Sequence, residues 1–246
     1  MDFLPKTIIC NDFYNNSNSV IDKNIIRNKT INYFSNDNCI GFHIKNNNYW
    51  EIWMLKYIQE NYITNTNIID LGGNIGTTTL LMSEVLSENC KIYTFEPLYS
   101  DILLKNIIDN NLTDKVDLYP YGLGNKQEIL KIDNINFNST MNFGAVSLKN
   151  NITTDCGLAI NIVPLDYFNF ENVSLIKINV EHMEIEVLEG SYELIKRCTP
   201  NIIIETYQID TLKESKIFKN LETLGYSIIP ILEGYNDYIM KIENRI

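Results

Sequence analysis

Between residues 67 and 205, short runs of β-branched and aromatic residues alternate with stretches of helical spacing, and this alternation restricts the fold more than any other feature. The runs are NIIDL (67–71), KIYTF (91–95), VDLYPY (116–121), VSLIKINV (173–180) and NIIIE (201–205). Each is strand-length and bounded by polar or turn residues. Pro120 makes VDLYPY the weakest, because proline brings no N–H to a ladder. Helical spacing fills the gaps over about 75–88, 98–111 and 184–197, with a further helix near 210–224. Strand, helix, strand in succession requires right-handed crossovers, and so predicts a mostly parallel sheet with helices on both faces. The final pair, YSIIPIL (226–232) and DYIMKIE (237–243), is joined only by EGYN, too short for a crossover. It predicts a hairpin and an antiparallel strand at the end of the sheet.

The chain before residue 63 reads differently. Residues 11–48 are rich in asparagine and predict an irregular or short-stranded segment. Trp50, Trp53, Met54 and Tyr57 stand at offsets of 0, 3, 4 and 7, which predicts a helix over 49–62 whose aromatic stripe serves the core rather than a pocket. Residues 1–62 therefore read as an N-terminal extension with a packing helix, and 63–246 as the α/β domain. Within it, 125–166 holds a short strand (QEILKID) and a polar stretch, a place for a substrate-side insertion.

Composition excludes several classes. Apolar residues at 45% and charged residues at 21% suit an ordinary globular core. Thirty-one acidic against 20 basic residues give a net charge of −11. Such a surface repels phosphate backbones and anionic headgroups, so nucleic acid and membranes are not expected partners. No apolar run reaches 18 residues and no export signal is visible, which predicts a cytoplasmic protein. Five scattered cysteines without a CxxC pair fit reduced thiols.

The chemistry concentrates in DLGGNIGTTT (70–79), between the first strand and the first helix. Glycines there let the backbone turn sharply and approach a ligand, while N–H groups at the helix start face a polar or anionic group. The spacing D-x-G-G-N-x-G is not the dinucleotide fingerprint, and Asn74 is a residue that tolerates a left-handed backbone. Glu96 ends the second strand, just before Pro97. A carboxylate at that point can accept hydrogen bonds from both ribose hydroxyls of an adenosine lying across the sheet.

These segments, with LIKINVEHMEIEVLEG (175–190) and NIIIE, resemble the successive signatures of the FkbM-type methyltransferases, a branch of the class I S-adenosylmethionine-dependent enzymes. The resemblance covers about residues 67–242. It implies a Rossmann-like α/β fold with a seven-stranded sheet and transfer of methyl from S-adenosylmethionine to a hydroxyl of a sugar, glycan or other small metabolite. Carried onto this chain, it implies that Asp70, Gly72, Gly73, Asn74, Gly76 and Thr77 surround the methionine portion, that Glu96 beside Pro97 holds the ribose, and that Tyr121 and Gly122 flank the adenine. MNFGAVSL (141–148) resembles a glycine-containing segment of the family.

Two departures stand out. Where the family has I-K-I-D-V-E-G, this chain has Asn179 for the aspartate and His182 for the glycine. The amide removes a charge while keeping a hydrogen-bonding group of similar shape. Glu181, His182 and Glu205 are the candidate bases, with Asn179 beside them, since all fall at the carboxyl ends of strands, where open α/β sheets bind ligands. Each has a plainer alternative: a helix-start carboxylate, an exposed first-turn residue, a strand-end carboxylate. Glu205 and Asn179 offer two oxygens to a divalent metal, but without the aspartate a metal is not favoured. A catalytically silent cofactor-binding module is the alternative function. The acceptor class and a possible homo-oligomer are left open.

Overall fold

The computed structural model describes residues 3–8, 20–153, 157–232 and 235–243. Cys10, Cys156 and the Glu233–Gly234 part of the final connection lie outside the described residues. The elements in chain order are β1 (Ile21–Ile26), β2 (Lys29–Phe34), α1 (Ile40–Lys45), α2 (Met54–Asn61), β3 (Asn67–Leu71), α3 (Thr77–Val85), β4 (Ile92–Phe95), α4 (Ser100–Asp109), β5 (Val116–Tyr119), β6 (Gly122–Leu123), β7 (Glu128–Ile132), β8 (Leu158–Val163), β9 (Val173–Ile178), α5 (Glu184–Glu189), α6 (Tyr192–Cys198), β10 (Asn201–Glu205), α7 (Ile209–Glu214), α8 (Lys216–Thr223), β11 (Tyr226–Pro230) and β12 (Asp237–Ile242).

Seven strands form one sheet in the order β11-β12-β10-β9-β3-β4-β5. Strand β12 runs antiparallel to both its neighbours, as the hairpin predicted, and the pairs β10–β9, β9–β3, β3–β4 and β4–β5 are parallel. Because side chains alternate across a strand, each central strand serves two cores. Ile68, Leu175 and Ile203 face a cluster with Met54, Ile58, Leu80, Leu81 and Ile102, from α2, α3 and α4. Ile69, Ile176, Ile202 and Ile204 face Leu188, Ile195, Leu212 and Leu221, from α5 to α8. The sheet is therefore covered on both sides.

The differences from the sequence reading have local causes. Two predicted helices are each two. The 184–197 helix breaks at Gly190, where an added Cβ would lie 2.0 Å from the Gly124 carbonyl oxygen. The 210–224 helix breaks at Ser215, whose extended backbone and side-chain oxygen, accepting from Phe218 N–H, start a fresh helix. Strand β5 stops at Tyr119 before Pro120, and Gly122–Leu123 join a separate three-stranded sheet, β6-β8-β7. The helix predicted over 49–62 starts only at Met54, because Glu51 takes a left-handed backbone at φ 52°. Upstream, β1 and β2 form a hairpin, and the β2 residue Asn32 bonds to Asn106 of α4.

Candidate active site at the carboxyl ends of the strands

A cavity of about 510 Å³ opens at the carboxyl ends of β3, β4, β9 and β10. Its walls hold Gly72, Gly73, Asn74 and Thr77, then Glu96 and Pro97, then Tyr121 and Gly122, and Asn179, Glu181, His182 and Glu205. Asp70 and Gly76 do not line it. Asp70 is fully buried behind the turn, where its Oδ2 accepts from Thr79 Oγ1 at 2.6 Å. Gly76 caps α3 with φ 96°. Both shape the turn from behind.

The turn is built by close approach. Gly72 has φ 82°, and Asn74 has φ 49°. Gly72 and Gly73 N–H both donate to the Phe95 carbonyl, tying the turn to the end of β4. Lys177 of β9, almost fully buried, donates from Nζ to the Gly72 carbonyl at 2.7 Å and stands 3.4 Å from Asp70 Oδ1. That second contact compensates charge without making a hydrogen bond, so Asp70 Oδ1 has no hydrogen-bond partner among the described residues. Sequence reasoning passed over Lys177. The signal was present: a lysine inside an apolar central strand must be paired.

Glu96 faces the turn. Its Oε2 accepts from Asn74 N–H at 2.8 Å, and its Oε1 accepts from Leu98 N–H at 2.6 Å and Tyr99 N–H at 3.0 Å. Burial pushes this carboxyl above the usual range, opposed by those three donors and by Lys177. A carboxylate offers about four acceptor positions, and the backbone takes three. Room remains for about one further donor, fewer than the two ribose hydroxyls the sequence reading assigned to it.

At the other end, Asn179 Nδ2 donates to Glu205 Oε2 at 2.5 Å. Tyr207 lines the same cavity and bonds to Glu205; the charge of that carboxylate, with burial, pushes the phenol up to about 12. His182 Nδ1 lies 3.2 Å from Gln208 Nε2, a contact in which the amide donates to the ring. Glu181 is pushed up to about 7, by burial first and then by the charge of Glu205.

The walls also contain residues that the sequence reading placed elsewhere. Trp50, expected on a core stripe, packs partly buried against the core and also lines the cavity, because the left-handed turn at Glu51 takes it off the register of α2. Trp53 and Tyr57 pack partly buried against the core. Glu51 also lines the cavity, pushed up to about 7 by burial. The segment 141–148 spans the cavity and is fastened along its length. Asn38 N–H donates to the Met141 carbonyl, Tyr99 Oη to the Phe143 carbonyl at 2.8 Å, and Ser147 Oγ to the Glu181 carbonyl at 2.7 Å. Among the described residues, no group of three or more His, Cys, Asp or Glu is arranged to hold a metal ion. No helix among them is long and apolar enough to cross a membrane.

Glu181 and His182 are consecutive non-glycine residues at φ 49° and 78°. A side chain in that region costs about 1–2 kcal/mol, so His182→Gly is expected to raise stability by about 0.5–1 kcal/mol, a Tm increase of roughly 1–4 °C. A lower Tm in a thermal melt would mean that the bond to Gln208 outweighs the strain.

A seven-stranded sheet with one antiparallel strand, a glycine turn after its first strand and an acid after its second is the architecture of the class I methyltransferases. The match can be made narrower. The profile of the methyltransferase FkbM domain covers residues 70–228, and the chain belongs to that family. Methyltransferase sdnD of Sordaria araneosa is 28% identical over 196 residues, 64% of this chain and 75% of that protein. A crystal structure of an FkbM methyltransferase from Methylobacillus flagellatus superposes with a TM-score of 0.50 at 15% identity, over 76% of this chain. This chain spans half the length of that one.

Proposed function

We propose that the protein transfers a methyl group from S-adenosylmethionine to a hydroxyl oxygen of a saccharide or another small metabolite. The observation that carries this reading is the single cavity joining the Gly72–Asn74 turn and Glu96 to the Asn179–Glu205 pair. Its volume falls within the range of sites that enclose small ligands. The residues suit the cofactor. The turn has no side chain at Gly72 or Gly73 to block it, Glu96 keeps an acceptor position for a ribose hydroxyl, and Tyr121 and Gly122, the pair assigned to the adenine, line the same cavity.

Bound there, the cofactor supplies a methyl group already made electrophilic by its sulfonium. The chain has to hold the acceptor oxygen close and in line, an effect that contributes roughly 7–11 kcal/mol, and has to take its proton. Glu205 is the favoured base. It sits at a strand end, fixed by Asn179 and Tyr207. His182 suits the role less well, because its Nδ1 already accepts from Gln208.

Calorimetry with S-adenosylmethionine and its demethylated product tests the cofactor half. Glu96→Ala is expected to weaken binding about 10–100-fold, the worth of a hydrogen bond to a charged group. Glu205→Gln, at the far end, should leave it nearly unchanged. Absence of binding by the wild type at millimolar concentration would overturn the proposal.

A further inference from the structure

Resting on that reading, we propose that the acceptor hydroxyl belongs to a compound that also carries a protonated amine, drawn to the carboxyls of Glu51, Glu181 and Glu205. Acidic groups outnumber basic ones around this cavity. Glu51, Glu96, Glu181 and Glu205 all line it, against Lys177 and the imidazole of His182. Lys177 is engaged by Asp70 and the Gly72 carbonyl, and its charge offsets the burial of Glu51 and Glu181 only in part. Glu96 is bound by three backbone amides at the nucleoside end. Three carboxyls remain at the acceptor end.

The cofactor's sulfonium, ammonium and carboxylate sum to +1, which offsets one of them. Glu205 becomes neutral on taking the acceptor's proton. That leaves an unanswered negative charge in a partly buried site, where an anionic acceptor would be repelled and a cation attracted. Asp237 stands opposite Glu205 in the β10–β12 register, is 6% exposed, and its Oδ1 has no hydrogen-bond partner among the described residues. It does not line the cavity, but it adds a further buried acid beside Glu205. An ammonium brings three donors.

Placement fits the same ligand. Trp50 precedes Glu51 and Tyr207 follows Glu205 by two residues, and both rings line the cavity. Aromatic faces attract ammonium groups, the more so when desolvated. Burial pushes Glu51 and Glu181 up, the charge of Glu205 adds to the effect, and that of Lys177 offsets it only in part.

The test uses the full chain saturated with the demethylated cofactor, and three probes of one skeleton: a 2-amino-2-deoxyhexose, its N-acetyl derivative and the 6-phosphate of that derivative. In calorimetry the amine is expected to bind at least tenfold more tightly than the neutral probe, with the phosphate weakest. Glu51→Gln and Glu181→Gln should each shrink the preference for the amine several-fold while leaving the affinity for the N-acetyl probe in place. Equal affinities, a preference for the neutral or anionic probe, or no binding of the amine at millimolar concentration would each overturn the inference. Failure of the cofactor product itself to bind, measured first, would instead strike at the methyl-transfer reading.

Discussion

Gly72→Ala is expected to destabilise the protein by about 3–5 kcal/mol, the large end of single-substitution effects, and to lower Tm by roughly 6–20 °C. Two independent costs meet at this residue. Its φ of 82° is unfavourable for any side chain. A Cβ there would also lie 1.8 Å from the Asn179 carbonyl oxygen, which no ordinary contact allows. Nothing nearby can yield cheaply. Asn179 N–H donates to the Leu71 carbonyl at 3.0 Å, continuing the β3–β9 ladder, and Lys177 holds the Gly72 carbonyl at 2.7 Å. Relief would have to separate the two central strands. Gly76 provides the control: its φ of 96° carries the same strain, but its Cβ would meet Leu103 Cδ1 at 2.3 Å, the far end of a flexible side chain. Gly76→Ala should therefore cost distinctly less. A melt in which Gly72→Ala unfolds within about 2 °C of the wild type, under 1 kcal/mol for a chain of this size, would show that the strand–turn contact is not tight.

What the sequence made legible follows from where side-chain periodicity meets an unambiguous stop. Strands β3 and β10 appear with the predicted ends because their β-branched runs are bounded by polar residues and a turn. The antiparallel strand could be foreseen because a connection of a few residues cannot cross the sheet. The small sheet β6-β8-β7 could not, since Gly122–Leu123 is too short for a periodic signal and its parallel partner β8 lies far along the chain. The glycine turn, Glu96 and the acids after β9 and β10 were readable because each follows a strand, and strand ends converge in this fold. Glu51 was not. A helical pattern treats position 51 as a polar face, and only the left-handed turn at φ 52° carries the carboxyl and Trp50 into the cavity. Lys177 was hidden differently, inside a strand whose other members, Ser174 apart, are apolar. The backbone's claim on three of the acceptor positions of Glu96 was also invisible, because it depends on how the Leu98–Tyr99 amides fold back onto the carboxylate.

Glu205→Gln is expected to lower kcat by about 10²–10⁴-fold, the usual worth of a positioned base, with the affinity for S-adenosylmethionine changed by no more than about threefold. The split matters, because loss of a merely structural carboxylate would weaken binding and catalysis together. Asn179→Asp sharpens the test. The amide now donates to Glu205 Oε2 at 2.5 Å. An aspartate in its place sets two carboxyls at hydrogen-bond distance, where both cannot ionise at once, and the pair titrates as a unit with its upper step raised. A base must be deprotonated to act, so the acid limb of the pH–rate profile should move to higher pH. On that limb, activity at fixed pH falls about tenfold for each unit of the move. If Asn179→Asp instead raised turnover at neutral pH from an inactive wild type, the native chain would be a silent cofactor-binding module. If Glu205→Gln kept full kcat while Glu181→Gln lost it, the base would be Glu181, and Asn179 would hold a bystander.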